Sequence, residues 1–160
     1  MIRNVAAADV ADITEIYNHY IRETTVTFEE ESLSDEEMAV RIHHISLQYP
    51  YIVFEESGRV VGYAYATRWK ERSAYRNSAE TTVYVHKDFV GRGIGKQLYH
   101  QLIELCKQTN LHYLIGGITM PNDASVKLHE SLGFKYVGTF KEVGYKFEKW
   151  LDVGYWGRRM

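Results

Sequence analysis

The sequence predicts an α/β (α+β) fold, one mixed sheet of about seven strands with helices on both faces. Two observations carry this. Short β-branched and aromatic runs alternate with amphipathic helical stretches in the order β-α-α-β-β-β-α-β-α-β-β. Only two prolines, no low-complexity tract and no internal repeat break that order, so residues 1–160 are expected to form a single domain. A chain of this length buries roughly 70% of its unfolded surface, enough for one sizeable core.

Each element has its own signal. Ile2 to Val5 form a short first strand. Asp9 caps a first helix running to about Ile21, with Val10, Ile13, Ile16, Tyr17 and Tyr20 on one face. A second helix starts at the Ser34 cap, where Glu37 completes a capping box, and ends before Pro50. "YIVFEESGRVVGYAYATRW" reads as two strands around a turn at Ser57-Gly58. "RSAYRNS" is a loop and "AETTVYVH" a strand. From Gly93 to about Gln108 a helix buries Ile94, Leu98, Leu102, Leu105 and Cys106. "HYLIGGIT" is a strand, Asn122 to Leu132 a short helix, "FKYVGTF" a strand, and a last strand includes "DVGYWGR".

Composition excludes several function classes. With 45% hydrophobic and 25% charged residues and a net charge of −2, the chain has no electrostatic footprint for nucleic acid or an anionic membrane. One cysteine, Cys106, allows no internal disulfide and fits a reducing compartment. The N-terminal stretch has no apolar run of signal-peptide length, and nothing approaches a membrane span. A cytoplasmic, soluble protein is expected. The seven histidines show no metal-ligand spacing, so no metal is expected. Thirteen tyrosines among the aromatic residues favour strands and a partly polar, aromatic-lined cleft.

The most informative stretch is "VGRGIGKQLYH", Val90 to His100, in which Gly91, Gly93 and Gly95 alternate before a helix. It is not a P-loop, because with four residues between them the partner of Gly95-Lys96 would be Val90, not a glycine, and Gln97 follows the lysine. It is not a dinucleotide fingerprint, because the third glycine would be Lys96 or Leu98. A strand leading into glycines and a helix start still offers several backbone N–H groups to an anion, and a phosphate ligand is favoured. A tight turn needing positive φ and binding nothing would use the same glycines.

The surroundings add specificity. "GRGIG" after a strand, then "NDASVKLHESLGF" after the next, resembles the acetyl-CoA-binding core of the GNAT superfamily of N-acetyltransferases. "YAYATRWKERSAYRNSAETTVYV", "MPNDASVKLHESLGF" and "GTFKEVGYKFEKWLDVGYW" are similar to the group that acetylates phosphinothricin, methionine sulfone and methionine sulfoximine. The resemblance runs through essentially the whole chain and implies a GNAT-like, mostly antiparallel sheet. It also implies an acetyl-CoA-dependent N-acetyltransferase acting on a small amino acid analogue, and a homodimer. One departure stands out: Val90 occupies a place that in the superfamily is usually Gln or Arg, and Arg92 or Lys96 is the candidate to supply the missing charge.

Acetyl transfer to an amine needs a held pyrophosphate, a polarised thioester carbonyl, an amine freed of its proton and a protonated leaving thiolate. The Gly91, Arg92, Gly93, Ile94, Gly95, Lys96 turn answers the first need. By resemblance the backbone of Val83, Tyr84 and Val85 pairs with pantetheine and points an N–H at the thioester oxygen; as side chains these residues would equally be sheet core. Glu80, a carboxylate entering an otherwise apolar or hydroxylic strand, is either functional, paired or an exposed strand end. Resemblance makes it the general base. Glu80 lies roughly 13 Å from Tyr84 along the strand at about 3.3 Å per residue, so it serves the amine and not the thioester. His129, four residues before the Gly-Phe pair, is the candidate acid, against a structural role for a lone helix histidine. Asn122 caps its helix and, by resemblance, also bonds the pantetheine arm.

The acceptor side rests on Lys70, Glu71 and Arg72 at the hairpin end and on Glu80, Thr81 and Thr82. Resemblance makes both segments line the substrate, with Phe28 closing the pocket from above. A solvated hairpin end reads the same way in "WKER". Cys106 lies in an apolar stripe and reads as core. Competing classes are a polyamine, aminoglycoside or protein-acetylating enzyme and a non-catalytic acyl-CoA sensor. Lys70, Arg72 and Arg76 weigh against polycationic acceptors, and Glu80 with His129 against a sensor. The aromatic segment "YKFEKWLDVGYW" is a candidate dimer interface, or a core strand.

Overall fold

The structure, a computed structural model, describes every residue from Met1 to Met160. Its elements are β1 (Ile2–Asn4), α1 (Val10–Glu23), α2 (Asp35–Ser46), β2 (Tyr51–Glu56), β3 (Arg59–Arg68), β4 (Ser78–Val85), α3 (Ile94–Lys107), β5 (Tyr113–Met120), α4 (Asp123–Ser131), β6 (Lys135–Lys146) and β7 (Lys149–Arg159), in the predicted order. The seven strands follow the spatial order β1-β2-β3-β4-β5-β7-β6. β4 and β5 run parallel, whereas β1–β2, β2–β3, β5–β7 and β6–β7 are antiparallel.

The chain groups into two compact units that interleave along the sequence. The first comprises Met1–Asn18, Leu33–Thr67 and Thr81–Asn110. β2 and β3 turn at Ser57-Gly58, where φ is 53° and 79°, the left-handed pair a two-residue hairpin needs. Val53, Val60, Val61, Tyr63, Ala64 and Ala66 of this hairpin are buried. From α1, Ile13, Ile16 and Tyr17 join this core, whereas Val10 is only half-buried. On α3 the buried stripe is Ile94, Leu98, Tyr99, Leu102, Ile103 and Cys106; Leu105, expected there, is half-buried and Tyr99 and Ile103 take part instead. The helical period puts 99, 102, 103 and 106 on one side, with 105 turned off it.

The capping box at Ser34 is present, with Ser34 Oγ accepting from Glu37 N–H and Glu37 from Ser34 N–H. Asp9 is a correction. It ends a short 3₁₀ turn ahead of α1, accepts the Ala6 N–H at 2.7 Å, and is gripped by both Arg3 Nη atoms at 2.8 Å. A nearby cation won the carboxylate from the helix end. Burial pushes its pKa up, but the Arg3 and Ala6 hydrogen bonds outweigh that and hold it below the ordinary value.

The second unit comprises His19–Ser32, Arg68–Glu80 and Leu111–Met160. β5 pairs with β7 over eight residues, from Tyr113↔Arg159 to Met120↔Asp152. β6 and β7 are longer than the sequence signals, and their register shifts between Phe140 and Gly144. Asp152 secures that bulge, accepting from Glu142 N–H at 2.8 Å and Lys141 Nζ at 3.0 Å. Phe134 and Leu132 are buried after α4, and Arg158 donates to the Leu132 carbonyl.

Candidate active site

The glycine turn owes its shape to backbone chemistry. After β4 a short 3₁₀ turn, Lys87–Phe89, leads to Gly91 and Gly93, at φ 81° and 78°. L side chains are strained in that region, so glycine is required at both. A Cβ on either would meet no atom within 4 Å, so the outer side of the turn is open. Gly93 is the N-cap of α3 and supplies no side-chain cap to its first turn. The first N–H groups of a fourteen-residue helix therefore face outward at its positive end, a setting for an anion. Lys96 is exposed one turn in, while Ile94 is buried and can act only through its backbone. Arg92 pairs with Glu56 at 3.3 Å and lies 4.7 Å from the Phe89 ring centre. Val90 is exposed.

On β4 the Tyr84 ring is core, edge-on to Tyr17 at 5.4 Å and tilted on Tyr63 at 5.5 Å. Any ligand role of Tyr84 is thereby limited to its backbone. Val83 and Val85 are half-buried. The parallel β4–β5 ladder covers three pairs and ends at Glu80↔Ile115.

Glu80 is half-buried, and burial alone raises its pKa above the ordinary carboxylate value. No salt bridge neutralises it. A Cβ on Gly117 of β5 would stand 3.7 Å from Glu80 Oε1 and 3.3 Å from the Tyr155 ring. Gly117 thus leaves room for the carboxylate and the phenol to share one place on the sheet. The Tyr155 hydroxyl is pushed up by burial first and by Glu80 second. Tyr155 also meets Trp69 at 5.7 Å and Phe140 at 5.8 Å, and these rings with Tyr113, Ile115 and Trp156 line a cavity of about 380 Å³. Sequence reasoning missed Tyr155, Trp69 and Gly117. A glycine pair inside the strand "LIGGIT" is a signal of close approach that could have found the last.

On α4, Asn122 is the cap as expected, its Oδ1 accepting from Ser125 N–H at 3.1 Å. His129 is 4% exposed and edge-on to Phe134. Its Nδ1 stands 2.7 Å from the Ser125 carbonyl oxygen, which can only accept, so in the neutral ring Nδ1 carries the proton. Burial lowers the imidazole pKa, and the Ser125 bond only partly offsets that.

The expected acceptor segment is more solvated. Lys70, Glu71 and Arg72 are exposed; Glu71 pairs with Arg68 at 2.7 Å, Lys70 Nζ lies 5.4 Å from the Trp69 ring centre and Arg72 5.8 Å from that of Tyr75. Thr81 is a correction: it is buried, and its hydroxyl shares a short hydrogen bond with the Tyr99 hydroxyl, which commits it to packing β4 on α3. Thr82 is half-buried, and Phe28 is largely exposed. Burial pushes the Cys106 thiol up to about 12, which removes it as a nucleophile. No group of three or more His, Cys, Asp or Glu residues is placed to hold a metal ion, and no helix is long and apolar enough to cross a membrane.

A mixed sheet with an open glycine turn at a helix start, and a half-buried carboxylate with no salt bridge on the strand that feeds the turn, is compatible with acyl transfer from a phosphate-bearing donor. Comparison with known proteins makes this specific. Residues 2–154 match the acetyltransferase (GNAT) domain, and the chain belongs to that family. It is 40% identical to a phosphinothricin N-acetyltransferase of Streptomyces viridochromogenes over 98% of this chain and 86% of that one. It is 38% identical to an L-methionine sulfoximine/L-methionine sulfone acetyltransferase of Salmonella typhimurium, over 95% and 90%. The crystal structure of a GNAT superfamily phosphinothricin acetyltransferase from Sinorhizobium meliloti in complex with acetyl-CoA superposes with a TM-score of 0.97 at 37% identity, covering 100% of this chain and 88% of that one. The protein is an acetyl-CoA-dependent N-acetyltransferase.

Proposed function

We propose that this enzyme acetylates the α-amine of a small amino acid analogue whose side chain ends in a compact tetrahedral polar group, as in phosphinothricin, methionine sulfone and methionine sulfoximine. The observation that carries the reading is Glu80, a half-buried carboxylate that burial makes more basic and that no cation holds. Such a group is a proton acceptor in waiting for an ammonium. The printed names of the relatives supply the acceptor class.

Acetyl-CoA supplies an activated thioester, and this chain's residues do the rest. The N–H groups of Gly91, Arg92, Gly93, Ile94, Gly95 and Lys96 hold the pyrophosphate, and the open space at the two left-handed glycines suits a bulky anion. The backbone of Val83, Tyr84 and Val85 orients the pantetheine and polarises the thioester carbonyl, with Asn122 bonding the same arm. Glu80 removes the amine proton. His129 donates to the departing thiolate only from its imidazolium form, because the neutral ring already gives its one N–H to Ser125. Lys70 and Arg72 attract the acceptor carboxylate, Glu71 and Thr82 are further acceptor contacts, and Phe28 covers the acceptor. Thr81 is left out of this set because its hydroxyl is spent on Tyr99.

The same proposal includes a cytoplasmic, reducing location, which a lone buried thiol suits. It also includes a homodimer, with the exposed, mutually packed aromatic side chains Tyr145 and Trp150 of β6 and β7 in the self-associating surface. The deciding experiment is kcat/KM for thiol release across phosphinothricin, methionine sulfone, methionine sulfoximine, methionine, spermidine and an aminoglycoside at one pH. At least one of the first three should lead clearly. Methionine, lacking tip oxygens, would leave the site's donors unpaired, a loss of up to several orders of magnitude where such donors are buried. Spermidine or an aminoglycoside as best acceptor would overturn the acceptor assignment and leave the acetyl-CoA half standing.

A further inference from the structure

The connection after α1 turns without regular structure, and its inward carbonyls need donors. They find one lysine. Lys146, the last residue of β6, is 1% exposed, and its Nζ donates to the Thr24 and Thr27 carbonyls, both at 2.8 Å. Lysine is almost never so buried unless paired, and here an ammonium is spent on two backbone oxygens more than a hundred residues away in sequence. The segment is further knotted around it. Thr24 Oγ1 accepts from Val26 N–H at 3.2 Å, Thr27 Oγ1 accepts from Glu29 N–H at 3.3 Å, and Glu29 and Glu30 add negative charge near the ammonium. Thr27 itself is buried.

The next residue is Phe28, and β6 has made room for it. Gly144 is buried, and a Cβ there would overlap the Phe28 ring. Residues 144 and 146 lie two apart on one strand and so share a face. One position admits the ring, and the other ties down the backbone that carries it.

We infer that Gly144 and Lys146 form a seat on β6 that fixes where Phe28 stands, making Lys146 a positioning residue for the amine acceptor. The inference rests on the proposed role of Phe28 as the acceptor's cover. Lys146 touches neither the acceptor nor acetyl-CoA in this account; it acts through Phe28. Its signature is a selective one, in acceptor KM and not in donor affinity.

The test uses Phe28→Ala, Lys146→Met, Lys146→Arg and Gly144→Ala in the full chain, with methionine sulfone and phosphinothricin as acceptors. Lys146→Met should raise acceptor KM about tenfold or more, the order expected when a positioning group shifts by a fraction of its length, with acetyl-CoA Kd by calorimetry within about twofold. Lys146→Arg should recover much of the loss, since a guanidinium also donates to two carbonyls. Adding Lys146→Met to Phe28→Ala should cost little more, because a seat has nothing left to place. Additive effects, or an unchanged acceptor KM in a folded Lys146→Met protein, overturn the seat. If Lys146→Met does not fold, Gly144→Ala decides, since it displaces the ring with the lysine kept: an unchanged acceptor KM overturns the seat equally. If no amine is turned over by the native protein, the functional reading fails separately. Hydrogen exchange then judges the seat, with faster exchange at Val26 and Glu29 in Lys146→Met or Gly144→Ala supporting it and native exchange overturning it.

Discussion

Replacing Glu80 by glutamine keeps shape and hydrogen-bonding capacity and removes the ability to take a proton. As the base, Glu80 should account for about 10²–10⁴ in rate, or about 3–5 kcal/mol of barrier at ~1.36 kcal/mol per decade. The structure adds a constraint on stability. Burial raises the Glu80 pKa, and no ion pair is broken by the change. A carboxyl with a raised folded pKa stabilises the fold most when protonated, below its unfolded pKa, and loses that contribution as pH rises through the folded pKa. At neutral pH the native protein thus carries a buried charge at a cost that glutamine does not have. Glu80→Gln should melt at the same temperature as the native protein or higher at pH 7, and the gap should close toward pH 4. Acetyl-CoA affinity should be unchanged, because the glycine turn is untouched. The assay is thiol release between pH 5 and 9 with calorimetric acetyl-CoA binding and melting curves alongside. In the native enzyme the acidic limb of kcat/KM should fall at a pH above 4.5 and vanish in the variant. Near-normal turnover across that range would remove Glu80 from the mechanism. A melting temperature several degrees lower at pH 7 would show that its carboxylate is paired after all.

Gly93→Val places a β-branched side chain at φ 78° in open space. The strain of about 1–2 kcal/mol leaves a folded protein, and acetyl-CoA affinity should fall at least about tenfold by calorimetry; unchanged affinity refutes the cradle. Asp9→Asn breaks the forked Arg3 contact and should cost about 2–4 kcal/mol by denaturant titration, discounted from the range for buried pairs because Arg3 is a third exposed. The Asp9 pKa is lowered in the fold, so its contribution is present above the unfolded value and lost as pH falls through the folded one. Native and variant stabilities should therefore converge in acid, which the same titration at low pH checks.

The elements were legible because their signals are local: period, caps and turn residues. The Ser34 box, the Ser57-Gly58 turn and the Asn122 cap each depend on residues within four positions. Asp9 failed because its partner, Arg3, competes from outside the helix, and propensity does not rank a cation against a helix end. The shape of the glycine turn was legible for a related reason. Left-handed glycines at a helix start announce a backbone task, and a backbone task needs no knowledge of tertiary neighbours. The surroundings of Glu80 and Thr81 were not. Tyr155 reaches Glu80 only because β7 pairs with β5 at Gly117, and Thr81 and Thr82 differ by one residue on a strand, which sends Thr81 to Tyr99. Nothing in the residues next to Lys146 signals its burial. Its burial depends on a loop more than a hundred residues earlier.

The cap of α4 and the His129 ring are two ends of one chain of hydrogen bonds. Asn122 Oδ1 accepts the Ser125 N–H, and the Ser125 carbonyl accepts His129 Nδ1–H. The bond fixes the tautomer, since a carbonyl cannot donate, and leaves Nε2 as the nitrogen that gains a proton on acidification. Burial disfavours that gain and holds the pKa below 6.5. Two consequences of opposite kind follow. The fold prefers the neutral ring, so the His129 contribution to stability is present above the unfolded pKa and lost as pH falls through the folded one. Catalysis by proton donation needs the charged ring, so that contribution is present in acid and lost as pH rises through the same folded value. His129→Phe should therefore resemble the native enzyme in rate at pH 8 and fall behind it toward pH 6, while the native protein's stability declines more steeply than the variant's over the same interval. Rate profiles and melting curves on the two proteins, taken in the same buffers, separate the effects. A deficit that is as large at pH 8 as at pH 6 would show that His129 acts on the reaction through its shape or its Nε2 lone pair and not as an acid.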